Sequence, residues 1–241
     1  MARLVGVGMG PGDPELVTLQ AVRAVREADR VFAPSVAIDA VGRAESIARA
    51  ACPGVAVERL VVEMGAADSW FASAADRLVT CLEAGEDVAV LTLGDPNVFS
   101  TFSSLAEGVR QRRPGTEVAT VPGITAFQDA AARAGMVLLD GTERLCLVTA
   151  LDGPGGLEVA LRDPEAAVVV YKGGRHLPAL AERLAAAGRL DGAVMGELLG
   201  LPGQRLCPAR EAAASGPASY LATVLVPPRS RADGYGVEGR G

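Results

Sequence analysis

Apolar and polar residues along this chain switch repeatedly between two periods, and the switching predicts its elements. Val and Leu at 4–9, interrupted by glycine, read as a buried strand, whereas from Glu15 to Ala28 apolar residues recur at 16, 19, 22 and 25, the spacing of a helix face. Val31–Phe32 predicts a second strand, 42–51 a helix and 55–62 a third strand. Asp68 is placed to cap a long helix carrying Trp70, Phe71, Leu78 and Leu82, which stops at Gly85. Val88–Leu93 is a continuous apolar run of the length expected for a central parallel strand, followed by Gly94-Asp95-Pro96 and a helix to about Arg112.

A short strand at 117–121 runs into Pro122-Gly123, and a helix over 125–134 opens a second series. Strands are predicted there at 145–150, 167–171, 192–198, 204–208 and 220–226, with helices near Leu157 and over 178–187. The first half alternates strand and helix, which predicts a parallel sheet covered by helices; the second ends in consecutive strands, which predicts a mixed sheet. The expected fold is therefore α/β with two domains, residues 1–120 and 121–228. After Pro227-Pro228, residues 229–241 lack apolar periodicity and are expected to form a flexible tail.

At 241 residues and 49% hydrophobic content there is ample material for buried cores. The formal charge of -6 argues against nucleic acid or an anionic membrane as a partner, since both select excess Lys and Arg. Lys172 is the only lysine, so almost all positive charge sits on guanidinium groups that can grip carboxylates bidentately. Cys52, Cys81, Cys146 and Cys207 are far from any C-x-x-C spacing and His176 is the single histidine, so no metal site is expected. The opening residues lack a signal-peptide pattern, and no apolar stretch reaches the roughly 18 to 20 residues of a membrane span. A cytoplasmic protein with reduced thiols is the expectation.

The opening turn holds Gly6, Gly8, Gly10 and Gly12, and such a loop before a helix is commonly a phosphate cradle. Here the chemistry opposes that use. A dinucleotide fingerprint G-x-G-x-x-G beginning at Gly6 would need glycine at Pro11, and one beginning at Gly8 would need it at Asp13. No Gly-Lys-Ser/Thr occurs anywhere, and Asp13 and Glu15 place negative charge where a phosphate would sit. Two further turns, Gly94-Asp95-Pro96 and Val121-Pro-Gly-Ile-Thr, are predicted at the carboxyl ends of strands, the edge along which open parallel sheets bind ligands. Three turns with glycines and a carboxylate but no phosphate grip suit a cationic, nucleoside-like ligand.

Taken together, Gly8-Met-Gly-Pro-Gly-Asp-Pro-Glu-Leu-Val-Thr-Leu, Gly94-Asp95-Pro96, Val121-Pro-Gly-Ile-Thr and Val170-Tyr-Lys-Gly-Gly resemble, in order and spacing, the four motifs of the tetrapyrrole (corrin/porphyrin) methyltransferases. The resemblance covers nearly the whole chain to about Pro228. It implies two α/β domains with a cofactor cleft between them, S-adenosylmethionine as cofactor and S-adenosylhomocysteine as product. By position it implies that Pro11, Leu93, Gly94, Asp95, Val98, Thr125, Ala126, Tyr171 and Lys172 line the cofactor pocket. It further implies a small-molecule tetrapyrrole substrate, a homodimer, and methyl transfer to C20 of precorrin-2 in cobalamin biosynthesis. C11, C17 or uroporphyrinogen III are the alternatives, with a non-catalytic nucleotide-binding module as a more distant one. Arg110, Arg112, Arg113, Arg133, Arg144 and Arg175 are candidates to bind substrate carboxylates. The resemblance leaves the catalytic base unassigned.

Overall fold

The computed structural model describes residues 2–61 and 67–234, which fall into two compact units, Met1–Thr125 and Ala126–Gly241. The first contains β1 (Arg3–Gly8), α1 (Leu19–Glu27), β2 (Arg30–Ser35), α2 (Arg43–Ala51), β3 (Glu58–Val61), α3 (Ala67–Glu83), β4 (Val88–Thr92), α4 (Phe102–Arg112) and β5 (Glu117–Val121). Its five strands run parallel in the order β3-β2-β4-β1-β5. The predicted parallel sheet is thus observed.

Strand periodicity divides the apolar residues between two layers. Val88 and Val90 of β4 enter a core with Trp70, Leu78, Leu82, Phe102 and Leu105 of α3 and α4, while Ala89 and Leu91 face a second core with Val25 of α1 and Ile47 of α2. A strand buried on both faces cannot alternate apolar with polar, which is why β4 reads as an unbroken apolar run. The first helix is broken differently from expectation. Pro14–Leu16 form a separate 3-10 turn, and α1 starts only after Thr18, whose hydroxyl accepts from the Ala21 N–H at 3.1 Å. The cap expected from Asp68 lies outside the residues whose side chains are described.

The second unit contains α5 (Ala126–Ala134), β6 (Arg144–Thr149), α6 (Leu157–Leu161), β7 (Ala166–Tyr171), α7 (Leu177–Ala186), β8 (Val194–Glu197), β9 (Arg205–Pro208), α8 (Ala209–Ala214) and β10 (Thr223–Val226). Its sheet, β6-β7-β10-β8-β9, is mixed as predicted: β6 and β7 are parallel and every later pairing is antiparallel. Val168 and Val170 pack towards α6, α7 and α8, whereas Val169 and Leu225 pack towards α5. The short helix α8 was not anticipated, because its sequence Ala-Arg-Glu-Ala-Ala-Ala carries no large apolar residue to mark a buried face. Two expectations shift here. The unit boundary follows Thr125 rather than residue 120, and the segment expected to be loose from 229 begins as a 3-10 helix, Arg229–Gly234. Arg229 donates to the Ala187 carbonyl at 2.8 Å and Arg231 pairs with Glu143, which holds that stretch; the tail predicted over 235–241 lies outside the described residues.

Candidate functional site

Two glycines of the opening turn, Gly8 and Gly10, serve contacts between main chains. At the carboxyl edge of the first sheet, Met9 N–H donates to the Thr92 carbonyl at 2.9 Å, and Gly10 and Gly94 exchange hydrogen bonds at 3.4 and 2.7 Å in an isolated antiparallel bridge. The turn after β5 closes on both. A Cβ on Gly123 would stand 2.2 Å from the Gly94 carbonyl oxygen and 2.9 Å from Gly8, and one on Gly8 would stand 2.6 Å from the Gly123 nitrogen. No side chain fits between these three turns. Their glycines are far apart in the sequence, so this requirement becomes visible only in the fold.

Asp95 fixes the third contact. Its Oδ2 accepts the Gly123 N–H at 3.0 Å and its Oδ1 accepts the Asn97 N–H at 2.8 Å, so the carboxylate ties the turn after β4 to the turn after β5. Beyond it, Ser100 accepts from the Phe102 N–H at 3.1 Å and lies 2.8 Å from the Thr92 hydroxyl, setting the start of α4. Phe102 then packs over Gly6, where a Cβ would come within 2.5 Å of the ring. Between these anchors Phe99 is held at φ 46°, a left-handed conformation that bulky residues seldom adopt.

Of the nine residues predicted for the cofactor, six belong to this edge of the first unit. Pro11 and Thr125 are buried; Leu93, Gly94, Asp95 and Val98 are half-buried. Val98 N–H donates to the Asp95 carbonyl at 3.3 Å, and a Cβ on Gly94 would lie 4.0 Å from the Thr125 Cα. The other three belong to the second unit. Ala126 begins α5, and the Tyr171 ring at the end of β7 stands edge-on to Phe127 of α5, with centroids 6.3 Å apart. Lys172 follows at φ 58°, and burial pulls its ammonium pKa below the ordinary lysine value.

Other candidates are sorted by topology and pairing. Helix α4 runs back from the turn edge to the start of β5, so Arg110, Arg112 and Arg113 in and just after its last turn stand at the opposite end of the sheet from the three turns. Arg112 is also paired with Asp76, Arg133 with Asp129 at 2.8 Å and Arg144 with Asp163 at 2.5 Å. Arg175 lies with its guanidinium 5.6 Å from the Tyr220 ring centroid. His176 precedes α7 as expected of a helix-start residue, its Nε2 3.3 Å from the Leu151 carbonyl. Burial raises the thiol pKa values of Cys52, Cys81 and Cys207, which disfavours a thiolate nucleophile at those positions. Among the described residues no group of three or more His, Cys, Asp or Glu is arranged to hold a metal.

A parallel sheet whose turns gather at one edge is thus followed by a mixed sheet whose β7 ends at Tyr171, with Lys-Gly-Gly directly after it. Residues 3–214 match the Tetrapyrrole (Corrin/Porphyrin) Methylases, and the chain belongs to that family. It is 34% identical to a precorrin-2 C(20)-methyltransferase of Sinorhizobium, over 94% of this chain and 96% of the relative. It is 37% identical to the cobalamin biosynthesis protein CobIJ of Mycobacterium tuberculosis over 86% of this chain, spanning 42% of that longer protein. Among solved structures, a Thermus thermophilus uroporphyrin-III C-methyl transferase complexed with S-adenyl homocysteine is similar at a TM-score of 0.68. It is 25% identical, over 95% of this chain and 99% of that one.

Proposed function

We propose that this protein transfers a methyl group from S-adenosylmethionine to C20 of precorrin-2, a carbon methylation in cobalamin biosynthesis. The single observation that carries the reading is the closure of three turns, main chain against main chain, at one edge of the first sheet. Those turns contain Asp13, Glu15 and Asp95 and no Lys, Arg or His, so a sulfonium placed there meets no like charge.

We assign Pro11, Leu93, Gly94, Asp95, Val98 and Thr125 of the first unit, with Ala126, Tyr171 and Lys172 of the second, to the cofactor. The bound cofactor supplies an electrophilic methyl: the C20–methyl bond forms as the sulfur–methyl bond breaks, sulfur keeps the electron pair as a neutral thioether, and C20 then loses its proton. The chain's contribution is positional. Rigid turns that hold the donor at one angle to the acceptor carbon can supply roughly 7 to 11 kcal/mol of the barrier reduction in favourable cases. No side-chain nucleophile is needed, in keeping with the raised thiol pKa values of Cys52, Cys81 and Cys207.

The same reading takes the protein to be a cytoplasmic homodimer. Four free cysteines suit a reducing compartment, and no helix among the described residues is long and apolar enough to cross a membrane; the dimer follows from the family resemblance. The activity is tested by anaerobic incubation with precorrin-2 and carbon-labelled S-adenosylmethionine, followed by product mass and carbon NMR. One added methyl at C20 is expected, and label at another ring carbon would replace this assignment.

A further inference from the structure

The loop between β2 and α2, residues 36–42, exposes aliphatic side chains on a backbone that is firmly held. Val36 is 73%, Ile38 70% and Val41 54% exposed, although burying such a side chain is worth about 1.5 to 3 kcal/mol. The loop does not hang free. The Ser35 hydroxyl lies 2.9 Å from the Ala37 carbonyl and 2.5 Å from that of Ala40, and Arg59 donates to the Ile38 carbonyl at 2.5 Å. Arg59 is itself fixed by Glu45, fully buried, through bonds of 2.7 and 2.8 Å, and the hydrogen bonds from Arg59 are the main reason that the carboxyl pKa lies below its usual range. At the loop's exit a Cβ on Gly42 would approach the Pro34 carbonyl to 2.7 Å, so the backbone returns tightly over the end of β2.

Two further facts say what meets this apolar tip. The first is continuity: β2 pairs directly with β4, and the strands are parallel, so the loop emerges from the same sheet edge as the Gly94-Asp95-Pro96 turn. The second is charge. Arg43, half-buried directly after the loop, has no carboxylate partner among the described residues; Arg23, Arg26, Arg110 and Arg113 share that property, but Arg43 is the one that opens a helix directly after this loop. Three aliphatic groups beside one uncommitted guanidinium match a flat apolar ring bearing carboxylates on its rim.

We propose that residues 36–43 form a preformed substrate platform, Val36, Ile38 and Val41 lying against the face of the tetrapyrrole macrocycle and Arg43 taking one peripheral carboxylate. This rests on the proposed substrate class and adds specificity-determining residues to it. Arg43 also replaces Arg110, Arg112 and Arg113 as this unit's carboxylate grip, since it alone of the four begins its helix at the turn edge.

The test uses the full chain with Ile38→Asp, Val41→Asp and Arg43→Gln. Fluorescence anisotropy of uroporphyrin, a fluorescent macrocycle with eight carboxylates, reads binding without turnover, and calorimetry with S-adenosylhomocysteine reads the cofactor side. The platform predicts that each variant weakens uroporphyrin binding by about tenfold or more, that Arg43→Gln also flattens its dependence on salt, and that S-adenosylhomocysteine affinity stays within about twofold. With precorrin-2, KM should rise more than kcat falls. Unchanged porphyrin affinity in all three variants overturns the platform, as does a wild-type dimer that Ile38→Asp converts to monomers, which would make the loop a subunit contact. Should the wild-type chain methylate a carbon other than C20, the assigned position fails while the porphyrin titrations still decide the platform.

Discussion

The two sheets hold their turns by different means. In the first unit all strands run one way, so β1, β4 and β5 deliver their following turns to a single edge, where the main chains of Gly8, Gly94 and Gly123 touch with no side chain between them. In the second unit the antiparallel β8, β9 and β10 divide their turns between both edges, and a side chain does the fastening: buried Arg189 donates to the carbonyls of Ala166 and Pro227, each at 2.7 Å. The lesson is that a parallel sheet can close its turns at one edge chiefly by main-chain contact, with one carboxylate, Asp95, tying two of them together. A Cβ at Gly8 or Gly123 has no room at such an edge, whereas the clamp of the second unit is a single side chain.

The largest expected effect tests that contrast on the glycine side. Gly123→Ala puts a methyl against the Gly94 carbonyl, and should destabilise by about 3 kcal/mol or more in denaturant titration while abolishing measurable S-adenosylhomocysteine binding. A folded variant with wild-type affinity would show that the closure is not what shapes the site. Next comes the clamp. Arg189→Met leaves buried carbonyls without donors and should cost about 2 to 3 kcal/mol, yet at a temperature where the variant stays folded its S-adenosylhomocysteine affinity should equal that of the wild type.

Asp95→Ala removes two acceptors from the turn edge without adding a clash. Stability should fall by about 1 kcal/mol and S-adenosylhomocysteine affinity by about tenfold in calorimetry; undiminished affinity in the folded protein would remove Asp95 from the site. The smallest effect concerns Phe99. Glycine accepts φ 46° without strain, so Phe99→Gly should leave cofactor binding intact and stabilise the fold by about 0.5 kcal/mol. A loss exceeding 1 kcal/mol would mean that the ring's packing outweighs the relief of strain.

What was legible in the sequence follows from the range of the forces involved. Strand β5 appears at Glu117–Val121 as predicted, and the apolar run of β4 announces a doubly buried strand, because both depend on neighbours within a few residues. The composition of the three turns raised the expectation of a ligand edge, but the role of their glycines was not legible, since the partner of Gly8 is Gly123. Asp95 read as a group facing a cation; the fold commits both its oxygens to backbone N–H groups first. Arginines near Gly115 looked suitable for substrate until the direction of α4 placed them at the other end of the sheet, and Arg43 passed unnoticed because its lack of a carboxylate partner is a property of the folded surface. Periodicity misses α8 because its alanines leave no large apolar residue to mark a face, and misses the break before Thr18 because the three-residue 3-10 turn keeps Leu16 in step with the helix that follows.

The central claim is that an edge of glycines and carboxylates selects a sulfonium-type nucleoside and not a pyrophosphate. Calorimetric titration of the full chain with S-adenosylhomocysteine and, separately, with NAD tests it most directly. The account predicts saturable S-adenosylhomocysteine binding at one site per chain and no heat of binding for NAD; the opposite preference would contradict it.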